Sequence, residues 1–233
     1  MKKPITLLLT LITFLVRAQG TFQNLGFETG TIVPIPGDVY DRVQFGSAFP
    51  GWSGYLGGVP QNKALYNSAF LDTSGIGILD SGANTAPNPL VHGRLIQGSY
   101  TALLMAGFGG DATLSQTALI PLNVMTLFFN VSTYNPTPGT FGVTIGGQSL
   151  ALTPISTLAN STLYGADIHG WAGQTNELAF TVFAEVPHVS NRYLFLDSIQ
   201  FSTQPIPEPS ALGLIGLGAL LFSHRTGWRR KKS

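Results

Sequence analysis

The sequence predicts an all-β protein, a β-sandwich of the jelly-roll type, flanked by an N-terminal signal-peptide helix and a short hydrophobic C-terminal helix. Three observations predict this fold class. Only 10% of the 233 residues are charged, which is too few for a coiled coil or a charged disordered chain. The 28 glycines and 15 prolines divide the chain into short segments. Within these segments apolar residues alternate with polar ones, as they do in half-buried strands.

The first twenty residues have the three parts of a secretory signal peptide. A basic start precedes an apolar stretch at residues 5–16, and small residues follow it. The small residues allow cleavage before Thr21 or before Gln19. We therefore assign residues 1–20 to a signal peptide and expect export through the Sec machinery; a buried N-terminal helix is the alternative.

Residues 21–204 are interpreted as one domain. Between Thr21 and Ile206 there are ten acidic and four basic residues, so this part carries a net charge of −6, although the whole chain is at +1. A protein that binds nucleic acid needs a basic face to neutralise phosphates, so we expect no nucleic-acid partner. The chain has no cysteine, which excludes disulfides, thiolate metal sites and thiol nucleophiles.

Alternation of apolar and polar residues predicts seven strands in the second half of this domain. Gly146-Gly147 predicts a tight hairpin turn, because glycine adopts the positive φ angles that such a turn needs. Residues 30–92 are richer in glycine, proline and asparagine, and we expect long loops with short strands there. The predicted strands are 94–106, 113–120, 125–134, 141–145, 149–153, 177–186 and 193–202.

The last segment, 205–233, has three parts in a fixed order. Pro207, Glu208 and Pro209 come first, and an uncharged stretch at 211–222 follows. Twelve helical residues extend about 18 Å, which is short for a hydrocarbon core of about 30 Å. A basic tail ends the chain and is expected to stay on the cytoplasmic side. The basic residues of this tail are Arg225, Arg229, Arg230, Lys231 and Lys232.

These three parts resemble the PEP-CTERM sorting signal of exported proteins in Gram-negative bacteria. The resemblance implies that exosortase, a membrane-embedded cysteine transpeptidase, recognises Pro207–Pro209 and removes the tail. The protein would then be anchored transiently in the inner membrane through residues 211–222 and released to the cell surface or extracellular matrix. An ordinary C-terminal anchor without processing is the alternative.

The opening segment at 22–30 and the closing strand at 196–202 resemble the galactose-binding-like jelly roll of carbohydrate-binding modules, and also many exported PEP-CTERM proteins. In such modules an acidic residue of each segment often binds a structural Ca²⁺, and Glu28 and Asp197 are the matching positions. Ca²⁺ takes 6–8 oxygen ligands, so backbone carbonyls and water would have to complete the shell.

The strand pattern around Asp197 allows two orientations. If Asp197 faces inward with Phe195, Ile199 and Phe201, its carboxylate is buried and needs a cation or several hydrogen-bond donors. If the leucines on either side of Phe195 face inward instead, the carboxylate is solvated or caps a turn.

Aromatic residues in predicted loops are candidates for stacking on sugar rings. Trp52 and Tyr55 lie in a glycine-rich segment, and Trp171 follows a glycine. The alternative is that the tryptophans belong to the core.

No catalytic motif is present, and Asp167 with His169 is the one close acid–histidine pair. We therefore expect a non-enzymatic exported protein with a polysaccharide-binding domain. The alternatives are a purely structural or adhesive matrix component and, less favoured, a polysaccharide-acting hydrolase.

Overall fold

A computed structural model describes residues 21–40, 42–134, 140–185 and 190–206. The predicted signal peptide, the Pro-Glu-Pro motif, the apolar stretch at 211–222 and the basic tail lie outside these residues. Among the described residues, no helix is long and apolar enough to cross a membrane.

Two β-sheets face each other across one core, and this confirms the predicted β-sandwich. Among the described residues, all strand pairs are antiparallel except β4 (Lys63–Tyr66) with β5 (Gly75–Leu79). In the described residues the eight-stranded sheet contains, in spatial order, β1 (Val43–Gln44), β4 (Lys63–Tyr66), β5 (Gly75–Leu79), β6 (Thr101–Ala106), β14 (Arg192–Ser202), β8 (Thr126–Tyr134), β12 (Thr162–Asp167) and β11 (Thr153–Thr157). The six-stranded sheet contains β10 (Gln148–Ser149), β9 (Phe141–Ile145), β13 (Thr175–Val182), β7 (Ala112–Leu119), β2 (Ser53–Leu56) and β3 (Val59–Pro60).

Helical structure is confined to short pieces in the described residues. One turn of α-helix, α1, covers Phe45–Ala48. Single 3₁₀ turns cover Ser81–Thr85, Pro89–Val91 and His169–Trp171. The predicted Gly146-Gly147 turn is confirmed, because both glycines have positive φ and the residues that flank them pair across the hairpin.

Three predicted strands are wrong in extent: the predicted strand 177–186 ends at Val182, and the other two errors have a packing cause. The predicted strand 149–153 is divided between β10 and β11, which belong to different sheets, because Leu150 and Leu152 pack against the core where the chain crosses over. The predicted strand 94–106 begins only at Thr101, since residues 94–100 form a loop. That loop carries the backbone donors of the site described below.

Strand β6 and the first half of β14, up to Leu196, are buried on both faces, which explains their apolar sequences. On the inner face they pack between the two sheets. On the outer face Leu103, Met105, Tyr193 and Phe195 lie under the segment between β4 and β6, in a second apolar cluster. A strand with both faces covered needs no polar face, so residues 102–106 and 193–196 read as apolar runs.

A bulge in β14 reverses which side chains face the core. Before it, Leu194 and Leu196 point between the sheets; after it, Ile199 and Phe201 do so. The register with β8 shifts between Asp197 and Gln200, and Ser198 has a φ of 53°. A bulge inserts an extra residue and re-aims the side chains beside it. Asp197 therefore lies at the one place on the strand where the alternation breaks.

Phe180 is the central contact between the sheets. Its ring lies 5.2 Å from that of Phe129 in the opposite sheet and 6.3 Å from that of Trp52. We predict that Phe180→Ala lowers the free energy of unfolding by about 3–5 kcal/mol, because it leaves a cavity between the sheets.

The matched control is Phe183→Ala, since Phe183 is partly exposed just beyond the end of β13. Urea denaturation of both variants measures the difference. A loss for Phe180→Ala no larger than that for Phe183→Ala would contradict the central role of Phe180.

Candidate functional site

Glu28 and Asp197 line one cleft of about 390 Å³, together with Asn130. The opening segment reaches this cleft because the backbone N–H of Ile199, just after the bulge, donates to the carbonyl of Leu25. Strand β8 supplies Asn130, which pairs directly with Asp197 of β14. Three segments distant in sequence thus bring three oxygen-bearing side chains to one place.

Asp197 is buried, with 1% of its surface exposed, but neither predicted orientation holds in full: Leu194 and Leu196 face the core between the sheets, and the carboxylate is buried all the same. Its Oδ2 accepts hydrogen bonds from the Gln97 N–H at 3.1 Å and the Thr101 hydroxyl at 3.0 Å. Its Oδ1 accepts from the N–H and, at 3.4 Å, the hydroxyl of Ser198. Burial raises the pKa of Asp197 to about 6, and the neighbouring Glu28 carboxylate adds to the increase.

The raised pKa of Asp197 makes the stability of the fold depend on pH. The folded protein holds a proton on Asp197 at a pH where the unfolded chain has released it, so this group favours folding at low pH. Its contribution is lost as the pH rises from about 4 to about 6. A cation in the cleft would reverse this loss, since it favours the charged carboxylate.

Glu28 is held by the loop that precedes β6. The N–H of Ser99 donates to both of its carboxylate oxygens, at 3.0 and 2.9 Å, and the N–H of Tyr100 donates to Oε1 at 3.3 Å. The loop approaches this closely because Gly98 has a φ of +64° and no side chain; a Cβ there would collide with the Glu28 carboxylate.

Asn130 carries an unsatisfied oxygen. The side chain is buried on β8, and its Oδ1 has no hydrogen-bond partner. A buried oxygen without a hydrogen-bond partner lowers the stability of the folded state by about 1–3 kcal/mol, so such atoms are rare in native structures and call for an explanation. Asn130 lines the same cleft as the two carboxylates.

The residues of this cleft fit a hard divalent cation. All three side chains offer oxygen, which is the ligand type that Ca²⁺ prefers. Within the described ranges, no group of three or more histidine, cysteine, aspartate or glutamate side chains is placed to hold a metal. A cation here would therefore use two carboxylates and complete its shell with neutral oxygens such as that of Asn130. Its effect would be structural: to join the opening segment, β8 and β14.

Trp52 lies in the core rather than on an exposed loop, with 5% of its surface accessible. Its indole N–H donates to the carbonyl of Asn24, and its ring packs on Phe27 at 5.7 Å. Trp52 is therefore a core residue, as the alternative interpretation held, because little of its ring is accessible to a sugar. Trp52 does form the inner wall of a second cleft.

Tyr55 is the predicted aromatic that the structure places in an open cleft. The cleft measures about 530 Å³ and lies where β2 and β3 form the edge of the six-stranded sheet, beside α1. Tyr55 is half-buried and alternates along β2 with the buried Gly54, whose missing side chain leaves room for Phe45. Residues with amide and hydroxyl side chains line the same cleft: Gln44, Ser47, Ser53, Gln61 and Asn62.

Trp171 and the Asp167–His169 pair lie elsewhere. Trp171 ends a 3₁₀ turn and is partly buried against the core, away from the cleft of Tyr55. Asp167 accepts from the backbone N–H of His169 at 3.0 Å and contacts its ring Nδ1 at 2.7 Å. Both side chains are exposed, and the hydrogen bond of the His169 N–H lowers the pKa of Asp167. The pair thus braces the turn that carries Trp171.

Sequence reasoning missed two parts of these sites. Asn130 carried a signal, because a lone amide interrupts the apolar strand from Leu127 to Val131. The polar groups around Tyr55 carried none, since Gln44 and Asn62 meet only through the pairing of β1 with β4 and the position of α1.

Comparison with known proteins identifies the C-terminal segment. Residues 205–231 match the PEP-CTERM protein-sorting motif, which confirms the resemblance noted in the sequence. The motif implies export through the cell envelope and processing by exosortase. Pro207–Pro209 and the basic tail lie outside the described residues, so their roles as recognition element and cytoplasmic anchor stay predictions.

Two solved structures are similar to this chain. One is TmCBM61, a carbohydrate-binding module in complex with β-1,4-galactotriose; it is 14% identical, and the match covers 78% of this chain and 97% of that one, with a TM-score of 0.36. The other is the enzymatically active domain of tailspike protein 4 from bacteriophage CBA120. It is 13% identical, with coverage of 66% of this chain and 19% of that one and a TM-score of 0.22. No curated protein matches the sequence.

The close approach of Gly98 to Glu28 yields a prediction with a built-in control. Gly98→Ala and Gly93→Ala both place alanine at a positive φ, +64° and +67°, but only the former meets a neighbour. Each variant pays about 1–2 kcal/mol for the backbone conformation. We expect Gly98→Ala to lose clearly more stability in urea denaturation, because it also displaces the Glu28 carboxylate. Equal losses would show that the contact is unimportant.

Proposed function

We propose that this protein is a non-enzymatic polysaccharide-binding protein of the cell surface or extracellular matrix of a Gram-negative bacterium. The sorting motif at 205–231 supports export. The cleft around Tyr55 carries the binding proposal. A purely structural or adhesive matrix component is the alternative, and the binding experiment below distinguishes the two.

The chemistry of the Tyr55 cleft favours a neutral polysaccharide. Its lining has no aspartate, glutamate, lysine, arginine or histidine. Gln44, Ser53 and Asn62 are exposed, so their amides and hydroxyl can exchange hydrogen bonds with sugar hydroxyls. The ring of Tyr55 supplies the apolar surface on which a pyranose packs. An acidic polysaccharide would find no cation here to pair with its carboxylates.

The carboxylate cleft is assigned a structural rather than a catalytic role. The oxygens of Glu28 and Asp197 accept several hydrogen bonds from fixed donors, whereas a general acid must release its proton to a substrate. We propose that Glu28, Asp197 and Asn130 together bind a structural Ca²⁺. The unsatisfied Oδ1 of Asn130 supports this proposal.

Membrane association is proposed to be temporary. Residues 211–222 hold the exported chain in the inner membrane until exosortase removes the tail. The acidic domain is then left outside the cell.

Binding of neutral polysaccharides tests the proposed function. We expect affinity for at least one of galactan, xylan and glucan and none for alginate. Tyr55→Ala is expected to weaken binding about tenfold, because loss of an aromatic packing contact costs about 1.4 kcal/mol.

The control for this experiment is Tyr40→Ala, since Tyr40 is an exposed tyrosine outside the cleft. Affinity electrophoresis and isothermal titration calorimetry provide the measurements. Absence of binding across the panel would favour the structural or adhesive alternative, and turnover of a polysaccharide would revive the hydrolase.

Calcium binding is tested by thermal unfolding in EDTA and in calcium. We expect calcium to stabilise the chain by about 2.7 kcal/mol when its free concentration is a hundredfold above Kd. Glu28→Gln is expected to abolish this increment, whereas Glu177→Gln, which changes an exposed acid on β13, is expected to keep it.

Asn130→Asp gives the sharper result, because its effect changes sign between the two buffers. In EDTA it adds a second buried carboxylate beside that of Asp197 and lowers Tm; in calcium it adds a charged ligand and strengthens the metal increment. A calcium-independent Tm for the wild type, with no metal found by mass spectrometry, would refute the site.

A further inference from the structure

The two ends of the described domain leave from the same end of the sandwich. The Thr21 N–H donates to the Leu119 carbonyl at 3.2 Å, and the Leu119 N–H donates to the Thr21 hydroxyl at 2.8 Å. The Thr126 hydroxyl donates to the Gln204 carbonyl at 2.8 Å. One segment, residues 119–126, therefore touches both exits, and we call it the exit segment.

The apolar stretches of the sequence lie close to both exits. Four residues, 17–20, separate the stretch at 5–16 from Thr21, and four residues, 207–210, separate Ile206 from the stretch at 211–222. Four residues reach at most about 14 Å even when fully extended. Whenever either stretch is in the membrane, the exit segment is therefore held within a short distance of the lipid.

The exit segment presents apolar side chains to solvent. Leu122 is 77% exposed, Met125 is 40% exposed and Leu119 is 38% exposed. Leu122 rests over Gly173, where a Cβ would come within 2.8 Å of its Cδ2, so the neighbouring loop supports it.

The exit segment has no lysine or arginine for an electrostatic contact with lipid headgroups. Of the four basic residues between Thr21 and Ile206, none lies in the exit segment, and Arg192 lies at the opposite end of β14. The acidic group nearby, Asp167, is paired with His169. Contact with lipid would therefore depend on the leucine and methionine side chains.

We propose that the exit segment rests on the outer surface of the inner membrane, with Leu122 and Met125 inserted at the lipid interface, until the tail is removed. This rests on the proposed anchoring through residues 211–222. Three apolar side chains are too few for a stable protein interface of standard size. They suffice against a bilayer, because a short tether gives a high effective concentration.

The absence of cysteine allows a clean fluorescence test. A single probe is attached at Asn123→Cys in the exit segment or at Thr73→Cys, since both residues are exposed and lie at opposite ends of the sandwich. The full chain is bound to phosphatidylcholine vesicles that carry a nitroxide quencher on the acyl chain. We expect quenching several-fold stronger at position 123 than at position 73. Equal quenching would overturn the proposal.

Two further measurements assign any failure to its cause. Leu122→Asp with Met125→Asp, in the Asn123→Cys chain, is expected to reduce quenching to the level of position 73 while the chain still floats with the vesicles. A chain that does not float refutes the membrane anchor itself and leaves polysaccharide binding at Tyr55 unaffected. If the probe is equally shielded from solvent without vesicles and the chain elutes as a dimer, the exit segment contacts a second copy of the chain. That result would overturn the proposal.

Discussion

The bulge of β14 at Asp197 and Ser198 is the constraint on which the architecture of this domain depends. It reverses the side chains that face the core, so that Leu196 before it and Ile199 after it both pack between the sheets. It also directs the buried Asp197 carboxylate towards the cleft. The Ile199 N–H is left free to donate a hydrogen bond to Leu25 of the opening segment. A buried carboxylate is tolerated there because four donor contacts converge on it.

Alternation predicted several strands close to their observed bounds and misjudged others. Strands β7, β8, β9 and β14 fall within one residue of their predicted bounds, whereas the predicted strand 177–186 runs past the end of β13 at Val182. The loop at 94–100 resembled a strand, since the apolar residues that follow it in β6 are buried on both faces. The sequence pattern did not predict β12, because polar and apolar residues are mixed on both of its faces.

The candidate sites were predictable only as far as single residues carry signals. Glu28 and Asp197 followed from a motif resemblance, and the structure brings them to one cleft. Tyr55 was one of three aromatic candidates, and choosing among them required knowing which ring is open to solvent. Packing decides that question: Trp52 fills the space beside Phe180, whereas Tyr55 points to the opposite side of β2. The sequence pattern of one strand carries no information about which strand lies beside it.

The direction of β14 has a mechanical consequence. The strand runs from Arg192 at one end of the sandwich to Ser202 at the other, and it lies between β6 and β8. Tyr55 pairs with Thr113, at the end of β7 far from Leu119, so the Tyr55 cleft and the exit segment lie towards opposite ends. Before the tail is removed, a load between a ligand held at Tyr55 and the tail acts along the strands, across hydrogen bonds that lie perpendicular to it. Those bonds then share the force in shear rather than opening one after another, and the fold resists traction in the direction in which a tethered protein is pulled.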